Sequence, residues 1–137
     1  MKEQKTLFNE GQQEQIRKAK EYNLDEKQIQ RIANSDFDWE QMMEIRLGYQ
    51  NGLTEEQVQM YAKPEYNWRQ MHAIRYGFKE YNLSIDQVNL YAKPEFSYEQ
   101  MKGILQSLYL EEEQQRFQNI ESHSIESEEE EEDEMEM

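Results

Sequence analysis

The chain spells one helix pair several times over. A fixed period near thirty residues confines it to a stacked repeat, in which each pair buries its apolar face on the next. Leu53-Thr54-Glu55-Glu56-Gln57-Val58 through Gly77-Phe78 is followed by Leu83-Ser84-Ile85-Asp86-Gln87-Val88 and a near copy of what comes after it. Tyr-Ala-Lys-Pro-Glu and a following aromatic stand at Tyr61 to Tyr66 and again at Tyr91 to Phe96. A more diverged copy starts at Leu24, and half of one at Phe8. Ala33, Ala62 and Ala92 differ by 29 and 30, as do Met42, Met71 and Met101.

Each unit carries two helix starts with the same chemistry. In the first helix of a unit, Asp25, Thr54 and Ser84 precede Gln28, Gln57 and Gln87 by three residues, the spacing of a capping box. In the second helix Asp38, Asn67 and Ser97 stand in the same relation to Gln41, Gln70 and Gln100. Lys63-Pro64 and Lys93-Pro94 close the first helices, because the residue before proline is pushed out of the α region. Asn23, Gly52 and Asn82 stand where a left-handed residue ends a second helix. Met71, Ile74 and Phe78 fall at i, i+3 and i+7, matched by Met42, Ile45 and Tyr49 and by Met101, Ile104 and Leu108, so each second helix has one buried stripe. Gly48 and Gly77 recur inside second helices, where glycine costs ~1 kcal/mol relative to alanine, which points to close packing.

These patterns predict an all-α chain: a short, right-handed α-solenoid of about three helix-turn-helix repeats and seven helices. The half-unit is 8–23 and the units are 24–52, 53–82 and 83–120, making a repeat domain over 1–120. No Gly or Asn stop follows Tyr109, so the last helix is expected to run to about Ile120, with Leu105, Leu108, Phe117 and Ile120 shielding the final unit. Arg17, Arg46 and Arg75 each precede an acid of the next turn (Asp36, Glu65, Glu95) by 19 or 20 residues, suggesting a ladder of ion pairs between neighbours.

Charge divides unevenly along this frame. The net charge of −15 includes −12 from residues 111–137, thirteen acids against Arg116, which leaves −3 for residues 1–110. Glu128, Glu129, Glu130, Glu131, Glu132, Asp133 and Glu134 form a like-charged run that predicts a disordered acidic tail over 121–137. A nearly balanced body without a basic stripe disfavours direct nucleic-acid binding. No apolar run approaches the ~20 residues that span a bilayer, and no apolar core follows Met1-Lys2-Glu3 as in a secretory signal. A cytoplasmic location is the expectation, and a mean hydropathy of −1.21 fits one small, polar domain.

Catalytic chemistry finds no constellation. His72 and His123 are the only histidines, cysteine is absent, and no glycine-rich loop precedes a helix. His72 replaces Met43 and Lys102 of the other units, as a variable surface residue would. The tail lacks the alternating ligands and glycine of a calcium loop. No enzyme activity, cofactor or metal is expected.

Comparison between units separates framework from variable positions. Met43, Leu47 and Gln50, then His72, Tyr76 and Lys79, then Lys102, Gln106 and Tyr109 share one face of the second helices. That face, more apolar than water requires, is the expected docking surface for a protein partner, with the acidic tail assisting. Basic nucleic-acid-binding proteins are one expected class of partner. Trp39, Trp68 and Tyr98 begin each second helix and are expected to cover the Pro turn and the preceding helix.

The string Tyr91-Ala92-Lys93-Pro94-Glu95-Phe96, with Gln100-Met101, Ile45-Arg46, Ile74-Arg75 and Gly48 or Gly77, resembles short tandem repeats in proteins of Firmicutes and their mobile elements. The resemblance covers about residues 8–109 and implies no catalytic residues. Leu105 and Ser107 depart from it, where Arg and Gly are expected, as befits a terminal unit. What it adds is a second expected function: a phage or mobile-element inhibitor of host defence, anti-CRISPR-like, whose acidic surface mimics nucleic acid.

Overall fold

The computed structural model describes the backbone of residues 7–136 and the side chains of residues 7–121. Among the described residues there are seven helices and no strand: α1 (Glu10–Glu21), α2 (Glu26–Ile32), α3 (Trp39–Gln50), α4 (Glu55–Gln59), α5 (Trp68–Lys79), α6 (Ile85–Asn89) and α7 (Tyr98–Glu136). The chain forms two compact units, one ending at Leu105 and one beginning at Gln106.

In the first unit α1, α3 and α5, the second-type helices, pack in series, and the short helices lie against them. Every helix starts with a closed capping box. Asn9 Oδ1 accepts from the Gln12 amide at 2.9 Å while its own N–H donates to Gln12 Oε1 at 2.7 Å. The six boxes read from the sequence close in the same way, with aspartate, asparagine, serine or threonine at the cap. Asn23, Gly52 and Asn82 end second-type helices at φ of 59°, 85° and 52°, the left-handed conformation that these residue types tolerate.

The invariant glutamine of the second helices does more than cap. While Oε1 holds its own helix start, Nε2 crosses to the next unit's turn. Gln12 Nε2 donates to the Phe37 carbonyl at 2.6 Å, Gln41 Nε2 to those of Tyr66 at 2.5 Å and Pro64 at 3.2 Å, and Gln70 Nε2 to those of Phe96 at 2.7 Å and Pro94 at 3.0 Å. Glutamate would cap equally well but has no hydrogen to give. Gln70→Glu is therefore expected to cost about 2 kcal/mol in urea unfolding, because it loses the donor and turns a carboxylate toward two carbonyls. Gln57→Glu is the control, since among the described residues that side chain serves its own box alone, and it should stay within ~0.5 kcal/mol.

Glycine recurs in the second helices for an atomic reason. Tyr61 Oη donates to the Glu44 carbonyl at 2.7 Å and Tyr91 Oη to that of Ala73 at 2.8 Å, each phenol lying fully buried across the preceding second helix. A Cβ at Gly48 would stand 2.0 Å from Tyr61 Oη, and one at Gly77 would stand 2.1 Å from Tyr91 Oη. One unit earlier the tyrosine is Ile32 and the glycine is Ala19, both fully buried. Where there is no hydroxyl, the methyl is allowed.

Two expectations need correction. The first helices α4 and α6 end at Gln59 and Asn89, well before the prolines, because their last turns tighten into i→i−3 bonds such as Met60 N–H to Gln57 O and Tyr61 N–H to Val58 O. The backbone of α7 continues through the acidic segment to Glu136, as the good helix propensity of glutamate allows. Finally, Phe117 and Ile120 are 62% and 63% exposed and shield nothing, while Leu105 is buried and Leu108 half-buried. An uninterrupted helix has no turn with which to bring them back.

Candidate functional site

The second helices run parallel, and their heights decide which side chains meet. Gln41 and Gln70 at the helix starts bind the next unit's turn, whereas Arg46 and Arg75 stand five residues further on, about 7.5 Å higher along the axis. The arginines therefore lie too high for the acids of that turn. The expected pairs Arg17 to Asp36, Arg46 to Glu65 and Arg75 to Glu95 do not form among the described residues, and Arg46 and Arg75 instead bond backwards, to the preceding second helix. Arg46 Nε donates to Gln15 Oε1 at 3.0 Å, and Arg75 Nε donates to Glu44 Oε1 at 2.8 Å. Arg17, on the first helix among the described residues, pairs with Glu14 and Glu21 of its own helix.

These bonds are buried, with Gln15, Glu44, Arg46 and Arg75 all below a tenth exposed. Burial holds the Arg46 guanidinium below its ordinary pKa, and the neighbouring Tyr22 and Glu44 act in the opposite direction. In register, Gln15 and Arg46 correspond to Glu44 and Arg75, and these to Ala73 and Leu105. One site in the stack is thus filled by an amide with a cation, by an ion pair, and by two buried apolar side chains. Leu105, which the sequence marks as a departure, belongs to this series.

Around Glu44 and Arg75 the structure gathers further polar groups. Arg75 Nη1 donates to Asn51 Oδ1 at 2.9 Å, and His72 Nδ1 stands 3.3 Å from both Glu44 Oε2 and Arg75 Nη2. A protonated Nδ1 donates to the carboxylate, and a bare Nδ1 accepts from the guanidinium. The His72 side chain is only 28% exposed, so the surface residue expected from the sequence is instead a member of an inter-unit cluster. Tyr76 roofs the cluster, its ring 4.2 Å from that of His72 and 5.3 Å from the Arg75 guanidinium carbon.

A second cluster joins the first-type helices. Tyr49 Oη donates to Glu55 Oε1 at 2.5 Å, and Arg31 pairs with Glu55 from the other side. Burial opposes ionisation of Glu55, but hydrogen bonds from Tyr49, Gln59 and Arg31 outweigh it and hold the carboxyl below its usual range. Burial, reinforced by that carboxylate, raises the Tyr49 phenol. Tyr61, sealed between units, is raised by burial as well.

The variable face is laid out as follows. Met43, Leu47 and His72 are half-buried, while Tyr76, Lys79 and Lys102 are exposed. Gln106 is exposed and Tyr109 half-buried, both in the unit that begins at Gln106. The side chains of Glu128, Glu129, Glu130, Glu131, Glu132, Asp133 and Glu134 lie outside the described residues.

Beside this face the structure shows a cleft of about 260 Å³ lined by Trp68, Arg69, His72 and Tyr98. Sequence reasoning assigned Trp68 and Tyr98 to covering the turn and passed over Arg69. The available signal was a change of sign, since Glu40 and Glu99 occupy the position of Arg69 in the flanking units. Among the described residues no group of three His, Asp or Glu side chains could hold a metal ion, and no helix is long and apolar enough to cross a membrane. No protein-family model, curated protein or solved structure matches this chain.

Proposed function

We propose that the chain is a short α-solenoid acting as a non-catalytic, cytoplasmic protein-interaction module. It docks a partner protein on the variable face of its second helices, with the acidic segment assisting. The observation that carries this reading is the division of labour along α3 and α5. Residues that recur between units are buried in cross-unit bonds, whereas Met43, Leu47, His72 and Tyr76 vary and remain half-buried or exposed. An apolar and aromatic row on a rigid helical scaffold is the usual composition of an interface core.

Site-specific photocrosslinking tests the reading. A crosslinking side chain placed at Tyr76 should capture the same partner from host lysate as one at Leu47, and one at exposed Glu56 on α4 should not. Equal capture from Glu56 would contradict it.

A second reading draws on the exposed carboxylates of Glu111, Glu113 and Glu121 ahead of the acidic run, and on the resemblance to mobile-element repeats. In it the acidic segment occupies the nucleic-acid groove of a basic host-defence protein. Capture would then fall steeply with salt and disappear in a chain ending at Ile120.

A further inference from the structure

Resting on the docking reading, we propose that the cleft between Trp68 and Tyr98 is an anchor pocket for an aromatic side chain carried in an acidic segment of the partner. Its size is right for one ring. A cavity of about 150 Å³ accommodates benzene, so about 260 Å³ holds a benzyl or phenol side chain with its backbone attachment. Its walls are suited to a ring, because Trp68 and Tyr98 offer π-faces and edges and His72 meets Trp68 edge-on with centroids 6.4 Å apart.

The charge at its rim selects what flanks that ring. The Arg69 guanidinium carbon lies 5.3 Å from the Trp68 ring centroid, and Lys102 Nζ lies 5.6 Å from that of Tyr98. Neither cation has a carboxylate partner among the described residues. In a chain with thirty acids and fifteen bases, two such cations, one lining the cleft and one over the Tyr98 ring that also lines it, are a local reversal of sign. The equivalent position one unit earlier has Trp39, Glu40, Met43 and Trp68, with an acid in place of Arg69, so the basic rim is particular to this step of the stack. Two cations match the carboxylates beside one anchor residue. A nucleic-acid backbone would need a longer basic track. The chain's overall negative charge does not forbid the contact, since residues 1–110 carry only −3 and a Debye length of about 8 Å screens the remainder.

Trp39 and Trp68 are the only tryptophans, so Trp39→Phe leaves Trp68 as the reporter at the cleft. Emission is followed during titration with the blocked peptides Asp-Glu-Phe-Glu-Asp, Asp-Glu-Ser-Glu-Asp and Lys-Lys-Phe-Lys-Lys, and with a thymidylate tetranucleotide. The expected result is a saturable change with the acidic Phe peptide, at least tenfold weaker binding of the Ser peptide, and none of the Lys peptide. Adding Arg69→Glu and Lys102→Glu, both on exposed residues, should abolish the response while the melting temperature is kept. No saturable response, an equal response to the Lys peptide, or preference for the tetranucleotide would overturn the proposal. Partner capture separates the two readings. If it is lost on Leu47→Glu/Tyr76→Glu but unaffected by Arg69→Glu/Lys102→Glu, the anchor pocket is wrong and the docking face stands.

Discussion

Arg75→Leu is expected to lower stability by about 3–5 kcal/mol, because it strands the Glu44 carboxylate, 1% exposed, without its ion-pair partner. For a folded unit of this size that is a fall in melting temperature of about 15 °C or more. The companion substitution should recover most of it. Ala73 and Leu105 occupy the equivalent positions one step along the stack, so Glu44→Ala/Arg75→Leu copies a solution that the chain already uses. Replacing a buried pair with apolar side chains is often neutral, and the double variant should lie within about 2 kcal/mol of wild type. His72 tolerates losing the carboxylate because its side chain is partly open to water. Thermal or urea unfolding of the four proteins closes the cycle, with a coupling of at least about 2 kcal/mol expected and simple additivity contradicting it.

Gly77→Ala should likewise destabilise, against the ordinary preference of helices. Alanine gains ~1 kcal/mol over glycine in a helix interior. The added Cβ, however, would fall 2.1 Å from Tyr91 Oη, and the phenol must move and give up its bond to the Ala73 carbonyl. Overpacking at about 1–3 kcal/mol and the lost hydrogen bond at about 1 outweigh the propensity, for a net loss of about 2 kcal/mol. Tyr91→Phe removes the clashing atom, so Gly77→Ala/Tyr91→Phe should be more stable than Gly77→Ala alone. Ala19 with Ile32 is the same compensation already present in the chain. A Gly77→Ala protein as stable as wild type would show that the phenol does not define the packing distance.

Much of this frame was legible in the repeats. The capping boxes, the left-handed Asn23, Gly52 and Asn82, and the close approach at Gly48 and Gly77 all follow from local chemistry recurring at one period. Partners across the stack were harder to read. The spacing from Arg75 to Glu95 suggested a forward pair, but sequence distance does not give height along parallel helices, and the partner lies 31 residues back at Glu44. The second duty of Gln12, Gln41 and Gln70 was also hidden, because Gln57, whose side chain serves its own box, is the same residue type at the same spacing. Deviations between units were the better guide throughout: Ala19 with Ile32, Ala73 with Leu105, and Arg69 between Glu40 and Glu99 each mark a contact that the recurrent residues alone do not reveal.

A docking module needs a face separate from its buried framework, and the variable face of the second helices is the one proposed. Its test is the affinity of the crosslinked partner, once identified, for wild-type chain and for Leu47→Glu/Tyr76→Glu, measured by calorimetry beside thermal melts of both proteins. Binding weakened at least a hundredfold, with the melting temperature held within a few degrees, is the result expected when two central apolar contacts are replaced by charges. Undiminished affinity in the folded variant would place the partner elsewhere and contradict the assignment of that face.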